Sequence, residues 1–161
     1  MESKEKFMSK LWAACLDCGS ESCCNLPLVY PLFVTREEME HIEEVCPDRA
    51  KSFNKGHPCP FVTEEGLCMI HADKPVDCRL FPFDVMRVDG KLYWVIWETG
   101  CPISREEWRY NEYLEDMEEK LIPGFSSHLE TYALFRNDEL HSKYTFKILR
   151  EVNIRMVSSV L

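Results

Sequence analysis

Cys15 and Cys18 stand three positions apart, and the adjacent pair Cys23-Cys24 follows after the short segment Gly19-Ser20-Glu21-Ser22. Two residues between thiolates let both turn toward one ion at about 2.3 Å, the spacing of a metal knuckle. The Gly-Ser-Glu-Ser segment is flexible enough to fold the second pair back on the first. In extended backbone, neighbouring side chains point to opposite faces. Cys23 and Cys24 therefore serve one ion through a sharp turn, or serve two centres. Further thiols stand at Cys59, Cys68, Cys78 and Cys101, which brings the set to eight. Eight thiolates complete two four-ligand sites, or one four-cysteine site with thiols to spare.

Thiolates are soft ligands that select zinc, copper(I) or iron–sulfur over magnesium and calcium. The spacing is not that of the ferredoxin-type run of four cysteines. The expectation is one or two centres of zinc or iron, the latter including an iron–sulfur cluster. Cys46 ends a predicted helix on its core side and is expected to pack rather than ligate. His71, three residues after Cys68, is expected to face solvent. Lys74 and Arg79 flank Cys78 and read either as charges that offset a thiolate-rich centre or as ordinary surface residues.

The chain has 161 residues, 45% hydrophobic and 29% charged, which suits one globular domain. Asp and Glu number 28 against 19 Lys and Arg, for a formal charge of -9. An acidic surface without a dense Lys/Arg cluster repels phosphate backbones, so nucleic acid and anionic membrane are not expected partners. No apolar run approaches the roughly 20 residues that span a bilayer. The first residues do not read as a signal peptide, and the cytoplasm is the expected compartment. There, nine cysteines point to metal rather than to a disulfide framework. The glycines are scattered singly, with no phosphate-cradling loop, and no H-E-x-x-H or nucleophile–base pattern marks a catalytic residue.

The elements that must position these thiols read as α+β. Residues 28–34 read as a strand broken by Pro31. Thr35-Arg36-Glu37-Glu38 predicts a capping box opening a helix with Met39, Ile42 and Val45 on one side, ending near Cys46-Pro47. Glu64-Glu65-Gly66 suggests a small hairpin, and Asp89-Gly90 between apolar runs predicts a second, stronger one. Tyr93, Trp94, Trp97 and Trp108 are expected in the core. Ser104-Arg105-Glu106-Glu107 predicts a second capping box before Tyr110, Leu114, Met117 and Leu121, with an end at Pro123-Gly124. Another helix is expected around residues 127–135, and the state of the tail from Tyr144 is left open.

Read together, Cys15-x2-Cys18-x4-Cys23-Cys24, Cys59-Pro60-Phe61, Cys68-x-Ile70 and Pro75-x2-Cys78-Arg79-x-Phe81-Pro82 resemble the YkgJ-like cysteine-cluster family of zinc- or iron-chelating domains. The resemblance covers about residues 15–102, and Cys101-Pro102 is similar to the family's late cysteine. It implies that Cys15, Cys18, Cys23, Cys24, Cys59, Cys68, Cys78 and Cys101 are metal ligands. The position of His71 is often aromatic in relatives, which argues against ligation there. Related clusters occur in flagellin lysine-N-methylases, which are larger; this chain shows no methyl-donor motif. The expected organisation is one domain over 1–161, with a metal-binding core at 15–102 and a helical C-terminal extension at 103–161.

Three functions follow from these residues. The first is a cytoplasmic metal-binding protein with a redox or metal-handling role. The second is an iron or iron–sulfur enzyme acting on a small molecule or protein side chain. The third is a zinc-stapled module that binds a protein partner.

Overall fold

The computed structural model describes residues 32–55, 59–98, 101–139 and 145–154; Cys15, Cys18, Cys23 and Cys24 lie outside them, as does most of the strand expected over 28–34. Helix α1 (Arg36–Val45) opens with the capping box that its sequence predicts. Thr35 Oγ1 accepts from the Glu38 amide at 3.1 Å, and Glu38 Oε2 accepts from the Thr35 amide at 2.9 Å. The helix closes at Cys46, and Pro47 then begins the short helix α2 (Pro47–Ala50), a position where its missing N–H costs nothing. Val45, expected on the core side, is 44% exposed. The stripe that α1 buries is centred on Ile42 and stops before the last residue.

Ile42, Ala50, Phe53, Phe61 and Ile70 form a small core, with Met39, Cys46, Cys59 and Cys68 packed against it. The hairpin expected around Glu64–Gly66 is reduced to a single bridge between Val62 and Cys68. Helix α3 (Val76–Leu80) leads into strand β1 (Phe83–Val88), which pairs antiparallel with β2 (Lys91–Trp97). Asp89 (φ 49°) and Gly90 (φ 81°) form the turn. Positive φ at both central residues matches the right-handed twist of the flanking strands.

The tail contributes a strand, β3 (Phe146–Glu151), which completes the sheet in the order β1-β2-β3. Phe83, Val85, Leu92, Trp94 and Ile96 alternate onto one face and pack against helices α4 (Tyr110–Lys120), α5 (Ile122–Phe125) and α6 (Leu129–Glu139). Met86, Val95 and Trp97 take the other face with Phe146. The architecture is α+β, in one small domain.

Three expectations fail near α4. The Ser104 hydroxyl donates to the Cys101 carbonyl at 2.6 Å instead of capping a helix. Two short 3-10 turns, Pro102–Arg105 and Glu107–Arg109, precede α4. Trp108 falls in the second of these turns and is 79% exposed, not core. At the other end, α4 stops at Lys120, and Pro123 sits in the first turn of α5, where proline is tolerated.

Candidate metal centre

All four cysteines from the second half of the predicted set are half-buried. Cys59 and Cys68 lie on the two arms of the bridged loop and pack against the small core. The Cys59 carbonyl accepts from the Val62 amide at 3.3 Å, and the Cys68 carbonyl accepts from the His71 amide at 3.2 Å. Cys46 packs against the same core, as its place at the end of α1 predicts. Cys78 lies on α3, whose Leu80 belongs to the main core. Cys101 packs against the main core, and its carbonyl takes both the Ser104 amide and the Ser104 hydroxyl.

Among the described residues, no three His, Cys, Asp or Glu side chains converge to hold a metal ion. The described thiols have the soft donor chemistry that suits zinc or iron, yet they do not complete a site by themselves. The remaining predicted donors, Cys15, Cys18, Cys23 and Cys24, lie outside the described residues.

Charges crowd around α3. Lys74 is buried, which removes the surface-charge reading for it. Arg79 is half-buried and donates through Nε to the Lys74 carbonyl at 2.7 Å. Burial pulls the Arg79 pKa down, while Glu38, Asp73 and Cys78 oppose that shift. His41 Nε2 meets Asp73 Oδ1 at 2.8 Å. His71 departs from the expected solvent-facing placement: it begins a 3-10 turn (His71–Asp73), and its Nε2 is shielded from water.

Sequence reasoning missed a group of buried and half-buried polar residues beside α3. Asp77 Oδ2 accepts from the Phe33 amide at 2.7 Å, and Glu38 Oε1 accepts from the Val76 amide at 2.7 Å. The Tyr132 hydroxyl sits between Asp77, at 3.1 Å, and Asp84, with which it makes a short contact. Trp97 donates from Nε1 to Asp84 at 3.1 Å. Only Glu38 carried a local signal, as the last residue of the capping box.

A shallow groove of about 280 Å³ runs beside the edge of the sheet, lined among others by Trp97, Ser104, Glu107, Tyr110 and Lys147. Lys147 Nζ binds Glu107 within it at 3.0 Å. None of the described cysteines lines this groove.

No helix among the described residues is long and apolar enough to cross a membrane. Residues 14–112 match the CxxCxxCC family, which carries the description "Putative zinc- or iron-chelating domain". That span contains every cysteine of the chain. No curated protein and no solved structure matches. With more than half of its length matched, the chain belongs to the CxxCxxCC family, the same family that its cysteine spacing resembles.

Proposed function

We propose that this chain is a cytoplasmic metal-binding protein that chelates zinc or iron through its clustered cysteines and serves a redox or metal-handling role. The observation that carries this reading is the family match over a span holding eight clustered thiols, more than one structural zinc needs. Cys15, Cys18, Cys23 and Cys24 are the first donors, and Cys59, Cys68, Cys78 and Cys101 are available to complete one or two sites. Half-burial suits these later cysteines, because a thiolate donor needs shielding from water and a path for the ion. Bound zinc supplies structural cross-linking, whereas bound iron or iron–sulfur supplies electron transfer. The chain's own residues contribute soft donors, and Arg79 brings positive charge beside Cys78. The formal charge of -9 supports a protein or small-molecule partner over nucleic acid or an anionic membrane.

The test is metal and acid-labile sulfide per chain on anaerobically purified protein, with its visible spectrum. Iron with sulfide and a brown colour supports the redox reading. Colourless zinc moves the role to metal handling or to a zinc-stapled interaction module. A stably folded chain that takes up neither metal overturns the proposal.

A further inference from the structure

Trp108 is 79% exposed on the 3-10 turn Glu107–Arg109, and among the described residues no other large hydrophobic side chain stands so far into water. The residue before it, Glu107, lines the groove of about 280 Å³ beside the sheet edge. The buried residues Trp97 and Tyr110 form the floor of that groove, and the exposed Arg105 and Lys147 form its rim with Glu98. A protruding indole and a recess therefore adjoin on one surface. Small-molecule sites run to roughly 300–1,000 Å³, so the recess falls short of one and has the size for a single large side chain. Charge divides in the same way. Glu106 and Glu107 lead into Trp108, whereas Arg105 and Lys147 offer two cations at the rim.

We propose that this face is a self-association surface on which two copies of the chain exchange Trp108, each indole entering the other copy's recess between Arg105 and Lys147. A two-fold interface uses the same patch on both copies, so it needs a knob and a hole side by side, as Trp108 and the groove are. The rim cations lie where they can meet the face of the incoming indole. They also meet the carboxylates of Glu106 and Glu107 that travel with it. Within one chain Lys147 Nζ already binds Glu107 Oε1 at 3.0 Å, but side chains 53% and 67% exposed make that pair weak in water. Trading it for the second copy's carboxylate therefore costs little. Elsewhere the chain's formal charge of -9 sets copies against each other, whereas this patch mixes both signs and escapes that repulsion. Tryptophan is a frequent anchor of protein interfaces, and a reciprocal pair of them suits a weak, reversible dimer.

The experiment is sedimentation equilibrium of the full chain across the micromolar range, as purified and under reductant so that its thiols form no cross-links. Tryptophan emission is followed over the same concentrations. The variants are Trp108→Ala, which removes the knob, and Arg105→Glu, which keeps the knob and puts an acid on the rim. Both side chains are exposed, so each variant should melt where the wild type does. The expected wild-type result is a monomer–dimer equilibrium with emission moving to the blue as dimer forms. Trp108→Ala should weaken the dimer by about 10- to 100-fold and abolish the emission shift. Arg105→Glu should weaken it by about tenfold. A wild type that stays monomeric throughout overturns the proposal. So does a dimer of unchanged affinity in Trp108→Ala, which would place the contact on another face or on a shared metal ion. A dimer weakened by Trp108→Ala yet indifferent to Arg105→Glu overturns the placement of the indole in the recess. If Trp108→Ala does not fold, Arg105→Glu decides.

Discussion

Trp94 donates its indole N–H to Glu118 Oε1 at 2.8 Å, a buried bond between the central strand and α4. The same carboxylate takes Arg150 at 2.8 and 3.0 Å and the Asn153 amide at 2.8 Å. One side chain thus ties β2, β3 and the residue run after β3 to a single helix. Burial alone pushes the Glu118 pKa up, but the bonds from Arg150, the Asn153 amide and Trp94 outweigh it and hold the pKa below the usual carboxylate value. A depressed pKa contributes stability that is present above the unfolded carboxylate pKa and is lost as pH falls through the folded one. Glu118→Ala should cost on the order of 1–2 kcal/mol at neutral pH, because it leaves the buried Trp94 indole donor and the Asn153 amide without their acceptor and a half-buried guanidinium unpaired. Denaturant unfolding should show that loss at neutral pH, with a gap between variant and wild type that narrows in acid. A gap that stays constant across the acid range contradicts the assignment.

Tyr113 contributes stability that alkaline pH removes. Burial, followed by a hydrogen bond to Glu106 at 3.1 Å, pushes its phenol from 10.0 to about 12, with Arg109 over the ring opposing the shift. The folded state holds this proton more tightly than the unfolded chain does. Its contribution is therefore complete below pH 10.0 and is lost as pH rises toward about 12. Stability measured against pH should fall across that window in the wild type and fall less steeply in Tyr113→Phe. Phenolate absorbance should show one tyrosine fewer ionising near pH 12 in the same variant.

Gly90 has a φ of 81°, and a Cβ built there meets no atom within 4 Å. The cost of Gly90→Ala is thus conformational and not steric, at about 1 kcal/mol. A lowered melting temperature with unchanged metal stoichiometry is the expected result. A loss of metal would mean that the hairpin communicates with the donors.

The features that could be read from the sequence are those decided within a few residues. Thr35 and Glu38 cap the same helix that they begin, and Asp89-Gly90 joins the strands beside it. Even local signals fail where a neighbour competes, as the Cys101 carbonyl does for the Ser104 hydroxyl. Strand β3 carried no pattern of its own, since its state depends on pairing with β2 some fifty residues earlier. The buried acids were hidden for a related reason. Nothing in their own neighbourhoods marks Asp77 or Glu118 as buried; Tyr132, Phe33, Trp94 and Arg150 arrive from distant positions to satisfy them. The candidate site divides in the same way. Residue type and spacing single out the thiols as candidate donors, but which thiols would share an ion is a matter of tertiary structure that spacing does not encode.

Cys46 separates packing from ligation. It is the one cysteine of the nine assigned to packing, and it lies half-buried against the core formed by Ile42, Ala50, Phe53, Phe61 and Ile70. Cys46→Ala should keep the full metal content and lose about 1 kcal/mol of stability, the ordinary cost of a small vacancy beside a core. Cys18→Ser, in the knuckle, should do the reverse by lowering metal per chain. Its destabilisation should vanish when wild type and variant are compared with the metal stripped, because a metal-held site stabilises the fold only when loaded. Metal analysis together with paired thermal melts, loaded and stripped, reads both effects. Metal lost from Cys46→Ala would make it a donor, and metal retained in Cys18→Ser would remove the knuckle from the site.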